Sequence, residues 1–438
     1  MSQITHRTLK IEGLPISHIT GLEIHQQINE HGRAVIYGEA SPETAKKFMG
    51  QATEKMAIRI KHLDKTLFCG ILEDLSVQYQ NDYAVLCAKL ISTTRALDCN
   101  IQSHSYQCTQ ATYKSIMEKS TCGGGDIVFR IQDKPTGKMI VQYRETAWAF
   151  IKRMAAECST FIVADITALR PTVIVGDMGE AVFQDAPKRK GNGSESGATD
   201  EFIFAGTKKN GQIIISVDSV LKAGVLKITY QTQSTEKVKA AVISMGQASQ
   251  PSFAGKIFPA TVKNVKKDLI QAHLITIDQE FDEGGDWWFP YSTLYSSSQN
   301  EAGIYCMPKE GDPVRIFFPT NEAKDGFAAS SKTVRGNQSD KEEKCFQTQS
   351  GMEVLFAKEG LFISCKGKKI YINLDKQKGI ELKANTSITM YTAKNFGIMA
   401  YENLKVKSKS NIFIGTPGSY MSIEEDGITT MAPKIFVK

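Results

Sequence analysis

The chain lacks any long apolar run. No stretch of its 438 residues approaches the roughly eighteen consecutive apolar residues that a membrane-spanning helix needs. The N-terminal segment, MSQITHRTLKIEG, also lacks the apolar core of a secretory signal. These two absences exclude a helical membrane protein and predict a chain that does not use an export signal of its own.

Cysteine and histidine are present without the spacing that metal sites need. The nine cysteines are odd in number and form no CxxC pair, and the seven histidines are not clustered. A zinc site needs clustered ligands of these types. We therefore expect no metal and no cofactor, and we expect buried free thiols made in a reducing compartment.

Sequence signatures of catalysis are also missing. The chain has no G-x-S-x-G motif and no pair of carboxylates on a recognisable active-site frame. Gly123-Gly124-Gly125 follows a predicted helix and not a strand, so it predicts a helix end and turn, not a phosphate loop. We expect no catalytic residue.

The most informative feature that is present is an eight-residue repeat near the C-terminus. Two apolar columns lie two residues apart, which is the period of a β-strand, and most residues between them are polar. The columns are Ile380, Ile388, Phe396, Leu404 and Ile412, and Leu382, Met390, Ile398, Val406 and Ile414. A third column, Ala384, Thr392, Ala400 and Ser408, holds small residues. Since such short strands cannot bury an apolar face alone, the repeat predicts stacked copies that share one core, in a β-prism or β-helix wound from several chains.

The net charge of +6 is concentrated in this part of the chain. Residues 351–438 contain thirteen lysines and eight acidic residues. A basic surface can bind nucleic acid or an anionic membrane. Solvated lysines on the outward face of the β structure, where they discourage edge pairing, are the simpler interpretation.

The rest of the sequence predicts a β-rich protein with few helices. Short alternating runs over 1–100 suggest a barrel or compact sheet. Helical periodicity predicts a helix capped by Thr109 and a second near 146–158, with Lys152 and Arg153 on its solvent face. Residues 187–200 have the composition of a loop. The runs EFIFAGT, QIIISVDSV, VLKITYQT and KVKAAVISM then predict strands, and 331–348 reads as a polar linker.

Several segments resemble the VgrG family, the hub-and-spike proteins of contractile injection systems, which are similar to the tail hub and spike of phages T4 and P2. The family pattern is roughly QYxETDxxFhxRLhEEEGI, with h apolar. It is matched by Gln142, Tyr143, Glu145, Thr146, Phe150, Arg153, Ala155 and Glu157. Ser159-Thr160 replaces the usual glycine that follows. Phe68-Cys69-Gly70-Ile71-Leu72 resembles a strand of the family's first barrel.

A second group of segments is similar to the family's OB-fold. Pro259-Ala260-Thr261-Val262 resembles its opening strand, and Trp287 and Trp288 the strand that ends in paired aromatics. Pro308–Phe318, which contains Gly311 and Asp312, resembles the P-x-x-G-D-x-V-x-V-x-F strand. Trp287 and Trp288 could stack on single-stranded nucleic acid, as some OB-folds do, but packing in a core or trimer interface is favoured.

The resemblance implies a mainly β fold with a hub of β-barrels, an OB-fold domain and a C-terminal trimeric β-helix. The implied domains are 1–250 for the hub (two β-barrel subdomains with helices near 109–120 and 146–158), 251–335 for the OB-fold, 336–350 for a linker and 351–438 for the spike. The two apolar columns of the repeat would form the trimer core.

The resemblance also implies a function, which is to cap an inner tube and pierce a target envelope when a sheath contracts. The expected partners are two further copies of the chain, an inner tube protein, baseplate proteins, a separate PAAR-like tip protein and effector cargo, with no nucleic acid. The chain would be made in the bacterial cytoplasm and act at or beyond the cell surface. The alternative is an OB-fold protein that binds nucleic acid or carbohydrate and carries a β-solenoid tail.

Overall fold

The computed structural model describes residues 4–51, 56–176, 208–209, 211–248, 252–278, 286–295, 304, 306–330, 344–365 and 369–436. The chain divides into two compact units, residues 1–332 and 333–438. The predicted mainly β class is confirmed, because strands dominate both units. The predicted loop at 187–200, the predicted strand EFIFAGT and most of the predicted linker lie outside the described residues.

The first unit contains a large domain, residues 4–248, and a small domain, residues 252–330. The strands of the large domain are β1 (Leu9–Glu12), β2 (His18–Gln27), β3 (Arg33–Ala40), β4 (Ala57–His62), β5 (Lys65–Tyr79), β6 (Ala84–Ser92), β7 (Ile101–Tyr106), β8 (Asp126–Phe129), β9 (Ile140–Thr146), β10 (Ile162–Ala164), β11 (Thr172–Val175), β12 (Lys208–Lys209), β13 (Gln212–Lys222) and β14 (Val225–Ser234). Its helices are α1 (Pro42–Met49), α2 (Tyr113–Ser120), α3 (Ala147–Glu157) and α4 (Thr235–Ala248), and a 3₁₀ helix spans Thr93–Asp98.

Nine strands of the large domain form one sheet. Its order is β1-β4-β5-β6-β3-β2-β13-β12, and β14 pairs with β13. Along β3 and the first seven residues of β6, buried residues alternate with half-buried or exposed ones, so that one face of each strand lies against the core. Register shifts, such as the one between Leu72 and Asp74, interrupt the pairing, and bulges of this kind bend a sheet. The pair β7-β9 and the three-stranded sheet β10-β11-β8 complete the domain with α2 and α3.

One predicted strand and one predicted helix cap need correction. The residues of KVKAAVISM belong to α4 and not to a strand, because Val238 and Val242 lie four residues apart and are both buried on one helical face. The predicted cap Thr109 is also wrong, since Thr112 caps α2 and its side chain accepts a hydrogen bond from the Ser115 amide. The helix near 146–158 is confirmed as α3, which Thr146 caps.

The predicted buried thiols are mostly wrong. Of the nine cysteines, Cys69 is buried, three are half-buried, and the others are exposed. Cys69 lies in the core-facing part of β5. The exposed cysteines lie mainly in turns and loops, which periodicity does not place in a core.

The small domain is a five-stranded antiparallel sheet around its own core. Its strands are β15 (Lys256–Lys266), β16 (Leu269–Leu274), β17 (Trp288–Pro290), β18 (Pro313–Phe318) and β19 (Phe327–Ser330), in the order β17-β16-β15-β18-β19, with a 3₁₀ helix at Ala323–Asp325. Phe258, Phe289 and Phe318 pack edge to face in this core.

The second unit contains two antiparallel sheets separated in sequence by an unpaired segment. The first consists of β20 (Lys344–Gln347), β21 (Glu353–Ala357), β22 (Gly360–Cys365), β23 (Ile370–Asp375) and β24 (Gly379–Lys383), in chain order. The second consists of β25 (Ile412–Thr416), β26 (Ser419–Glu424) and β27 (Gly427–Met431). Strand β20 lies within residues that the sequence predicts to be linker, and it pairs with β21. Across both units, no described helix is long and apolar enough to cross a membrane.

Candidate interaction sites

The sequence motif that runs from Gln142 to Glu157 lies on β9 and α3, and it contains a buried ion pair. Arg153 donates from Nε and Nη2 to the Glu145 carboxylate at 3.2 and 2.9 Å, and from Nη2 to the Val141 carbonyl at 2.8 Å. The two side chains are only 7% and 1% exposed. The predicted solvent-facing position of Arg153 is therefore wrong, because its charge is neutralised by a carboxylate from the preceding strand. A buried charge of this kind is tolerated only when it is paired and hydrogen-bonded.

The other residues of this motif pack around the pair. Gln142 donates to the Glu145 carbonyl at 3.0 Å and accepts from the Tyr106 hydroxyl at 3.3 Å. Phe150 stacks on Tyr106, with ring centroids 5.4 Å apart, and the Arg153 guanidinium lies 5.1 Å from the Phe150 ring centroid. Burial raises the pKa of the Tyr106 hydroxyl, which keeps it a neutral donor. The motif is thus a packed polar core.

Strand β9 also joins the large domain to the small one. Met139, immediately before β9, and Val141 within it are both 2% exposed and belong to the small domain's core, and Tyr143 packs edge to face on Phe258 at 5.5 Å. Gln142 and Glu145 serve the ion-pair network. The predicted motif residues therefore contribute to two adjoining cores.

A second contact between these domains could not be seen in the sequence. The buried carboxylate of Asp278 accepts from the Ser105 amide and from the Ser105 hydroxyl, each at 2.6 Å. Gln107 donates to the Ala272 carbonyl at 3.1 Å and accepts from the Trp287 amide at 3.2 Å. Ser105 and Asp278 are 173 residues apart in sequence. No local pattern signals such a pair.

Trp287 and the other small-domain residues predicted as site residues have packing and turn roles. Trp287 is half-buried against the small-domain core, and Trp288 begins β17 opposite Gln271. Gly311 adopts a φ of +86°, which favours glycine, and the Asp312 carboxylate accepts from the Lys309 amide at 2.8 Å. The Gly-Asp pair thus shapes the turn into β18.

We expect Asp278 to make the stability of this contact depend on pH. Burial raises the pKa of the Asp278 carboxyl above its usual value, although the Ser105 hydrogen bonds and His273 oppose the shift. The pKa of Asp278 is higher in the folded protein than in the unfolded chain. The free energy of unfolding of the wild type should therefore exceed that of Asp278→Asn by the largest amount at low pH. That advantage should fall as the pH rises above about 4. Urea unfolding over a pH series measures it, with the exposed Asp268→Asn as control; parallel pH profiles for wild type and Asp278→Asn would contradict the prediction.

A hydroxyl, an imidazole and a carboxylate also meet near the start of α3. His31 Nδ1 lies 2.9 Å from the Thr94 hydroxyl, and His31 Nε2 lies 3.6 Å from the Asp98 carboxylate. This order of groups resembles a catalytic triad. Thr94 has no exposed surface, and the His31 ring packs against Trp148 with centroids 4.1 Å apart. The hydroxyl is therefore closed to a substrate, and the group acts as packing around the α3 cap.

The eight-residue repeat has a regular backbone without sheet partners. Residues 384–411 are all described, and none of them pairs in a sheet. Bends occur at 385–386, 393–394, 401–402 and 409–410, so that the backbone has the same period as the sequence. Six predicted core residues lie in this unpaired repeat, namely Ile388, Met390, Phe396, Ile398, Leu404 and Val406, and they are 55–65% exposed. Ile380 and Leu382 lie in β24, and Ile412 and Ile414 lie in β25.

Comparison with known proteins gives structural similarity only. No family model and no curated protein matches the chain. A component of the E. coli type VI secretion system, described as structurally similar to the T4 bacteriophage tail proteins gp27 and gp5, is similar over 74% of this chain and 99% of its own, with 15% identity and a TM-score of 0.48. A chain of the lidded Francisella PdpA-VgrG complex is similar over 84% of this chain and 76% of its own, with 10% identity and a TM-score of 0.48. The 43 kDa tail protein of prophage MuSo2 from Shewanella oneidensis is similar over 38% of this chain and 51% of its own, with 14% identity and a TM-score of 0.32.

Proposed function

We propose that the chain is the hub-and-spike component of a contractile injection system or phage tail-like particle, and that it acts as a homotrimer. The observation that carries this proposal is the unpaired repeat at residues 384–411. The large domain, the small domain and the repeat would correspond to hub, OB-fold and spike, in the order that the sequence motifs predict.

The unpaired repeat needs partner chains for its backbone. Amide and carbonyl groups of extended segments are satisfied in a β-sheet or by water, and a row of unpaired groups is a template for another chain. The side chains need the same partners, since six large apolar residues at one register are more than half exposed. Other copies of this chain fit best, because they repeat with the same eight-residue period. Three copies would place both apolar columns around one axis.

The proposed mechanism is mechanical and involves no catalytic residue and no cofactor. The hub would cap an inner tube and contact baseplate proteins, and sheath contraction would drive the spike into a target envelope. A separate PAAR-like protein would form the tip, and effector cargo could travel with it. The chain would be made and assembled in the bacterial cytoplasm and would act at or beyond the cell surface.

The absolute mass of the full chain in solution tests the assembly. We expect light scattering or native mass spectrometry to give about three times 48.4 kDa. A chain that ends at Lys332, the boundary of the first compact unit, should lose this association, because the intermolecular contacts of the repeat are removed.

The truncated chain also serves as the control for folding. It retains the four hydrophobic core clusters described in the first unit, so its tryptophan fluorescence and β-sheet circular dichroism should remain those of a folded protein. A full chain that stays monomeric at micromolar concentration would contradict the proposal. Binding of the small domain to single-stranded nucleic acid or carbohydrate would then be tested next.

A further inference from the structure

A band of exposed apolar residues lies on the outward register of the repeat. Tyr391 and Met399 each follow a core-column residue directly, so in the strands of the proposed β-helix their side chains would lie on the opposite face from the columns. Tyr391 is 94%, Met399 82% and Tyr401 98% exposed. Each is more exposed than any residue of the two apolar columns, the highest of which is Ile380 at 72%. Association through the columns would leave the three outside.

Lysines lie within this band and directly after it in the sequence. Within residues 384–411 the charged side chains are Lys394, Lys405, Lys407 and Lys409, with Glu402 as the one acidic residue. All five are exposed. Along the sequence, therefore, an aromatic and apolar layer leads directly into a lysine-rich layer.

We propose that this band of Tyr391, Met399 and Tyr401 acts together with the four lysines. The two groups would bind the interface of a lipid bilayer that contains anionic headgroups. Tyrosine rings concentrate at the boundary between headgroups and acyl chains, and lysine stems lie along apolar surface while the ammonium groups reach the phosphates. Anionic lipids attract basic segments with about a fivefold gain in affinity per lysine. The inference rests on the proposed trimer, which would present three copies of the band to one membrane.

The same charges could attract nucleic acid, but the composition favours lipid. Residues 351–438 contain no arginine, the side chain best suited to bidentate contacts with bases and phosphates. Met399 in the middle of the band offers an acyl chain a flexible apolar contact, and it offers a base no aromatic face for stacking.

Vesicle co-sedimentation of the full chain tests the proposal. The vesicles are phosphatidylcholine alone or phosphatidylcholine mixed with phosphatidylglycerol. We expect binding to the mixed vesicles, a loss of at least about tenfold in the triple variant Tyr391→Ser, Met399→Ser and Tyr401→Ser, and no loss in Phe436→Ser, an 88% exposed residue outside the band. A variant with Lys405→Ser, Lys407→Ser and Lys409→Ser should lose most of the preference for the anionic lipid.

The mass of each variant separates this inference from the proposed function. A trimer that does not bind mixed vesicles would contradict the proposed lipid binding, and so would a triple variant that binds them as well as the wild type. Neither result would contradict the proposed function. A triple variant that no longer assembles would place these residues in the trimer core and also overturn the band. If the full chain binds single-stranded DNA and does not bind vesicles, the proposed lipid binding is also contradicted. A wild type that never assembles contradicts the proposed function before lipid is tested.

Discussion

Ile398→Asp is expected to abolish assembly of the full chain, whereas Met399→Asp should leave it assembled. The two residues are neighbours in the sequence, and in a strand of the proposed β-helix they would lie on opposite faces. In the proposed spike, three Ile398 side chains would be enclosed around the axis. A carboxylate there costs several kcal/mol to bury, and three of them would also repel one another. Every 1.4 kcal/mol, roughly, weakens association tenfold. A cost of several kcal/mol for each of three carboxylates should therefore dissociate the trimer completely at micromolar concentration.

Both variants start from similar exposure in the single chain, which makes the comparison specific. Ile398 is 65% and Met399 82% exposed, so neither substitution disturbs a core within the protomer. Static light scattering should give one chain mass for Ile398→Asp and about three for Met399→Asp. Equal masses for the two variants would show that register does not decide the association, and the three-chain β-helix would have to be abandoned.

The parts of the fold that could be predicted from sequence are those with a local period. Helix α3 was predictable because Phe150, Ile151 and Met154 repeat at helical spacing and are all buried. The apolar columns predicted stacked β-strands with a period of eight residues; the bends recur every eight residues from 385–386 onward, but residues 384–411 contain no strand, and the β-helix stays a prediction. These features depend on neighbours in the chain, which one sequence displays.

The parts that sequence did not reveal depend on distant partners. Arg153 lies where helical periodicity alone predicts solvent, and its burial depends on a carboxylate that β9 brings beneath α3. Asp278 and Ser105 meet only after two domains pack together. Helix α4 was mistaken for a strand because the alternating pattern of Lys237 to Ala241 fits a strand as well as a helix. The positions of Arg153 and Asp278 thus depend on partners far away in the sequence. Helix α4 was missed because its local pattern is ambiguous.

Arg153→Met is expected to destabilise the first unit by about 3–5 kcal/mol, because it leaves the Glu145 carboxylate buried without its partner. Glu145→Leu should cost a similar amount by leaving the guanidinium unpaired. The double variant should recover most of the loss, since two apolar side chains can replace a buried pair. Urea unfolding followed by tryptophan fluorescence measures these values, and Lys152→Met is the matched control, with an expected change within about 0.5 kcal/mol.

The same variants test whether the pair also holds the two domains together. Arg153 donates to the Val141 carbonyl, and the Val141 side chain lies in the small domain's core beside Met139. Loss of the guanidinium should therefore loosen β9 where it meets the small domain, and amide hydrogen exchange in β16 should become faster in Arg153→Met than in Lys152→Met. If exchange in β16 is unchanged while α3 exchanges faster, the pair stabilises the large domain alone. In that case the contacts of Asp278 with Ser105 and of Gln107 with Ala272 suffice to hold the small domain in place.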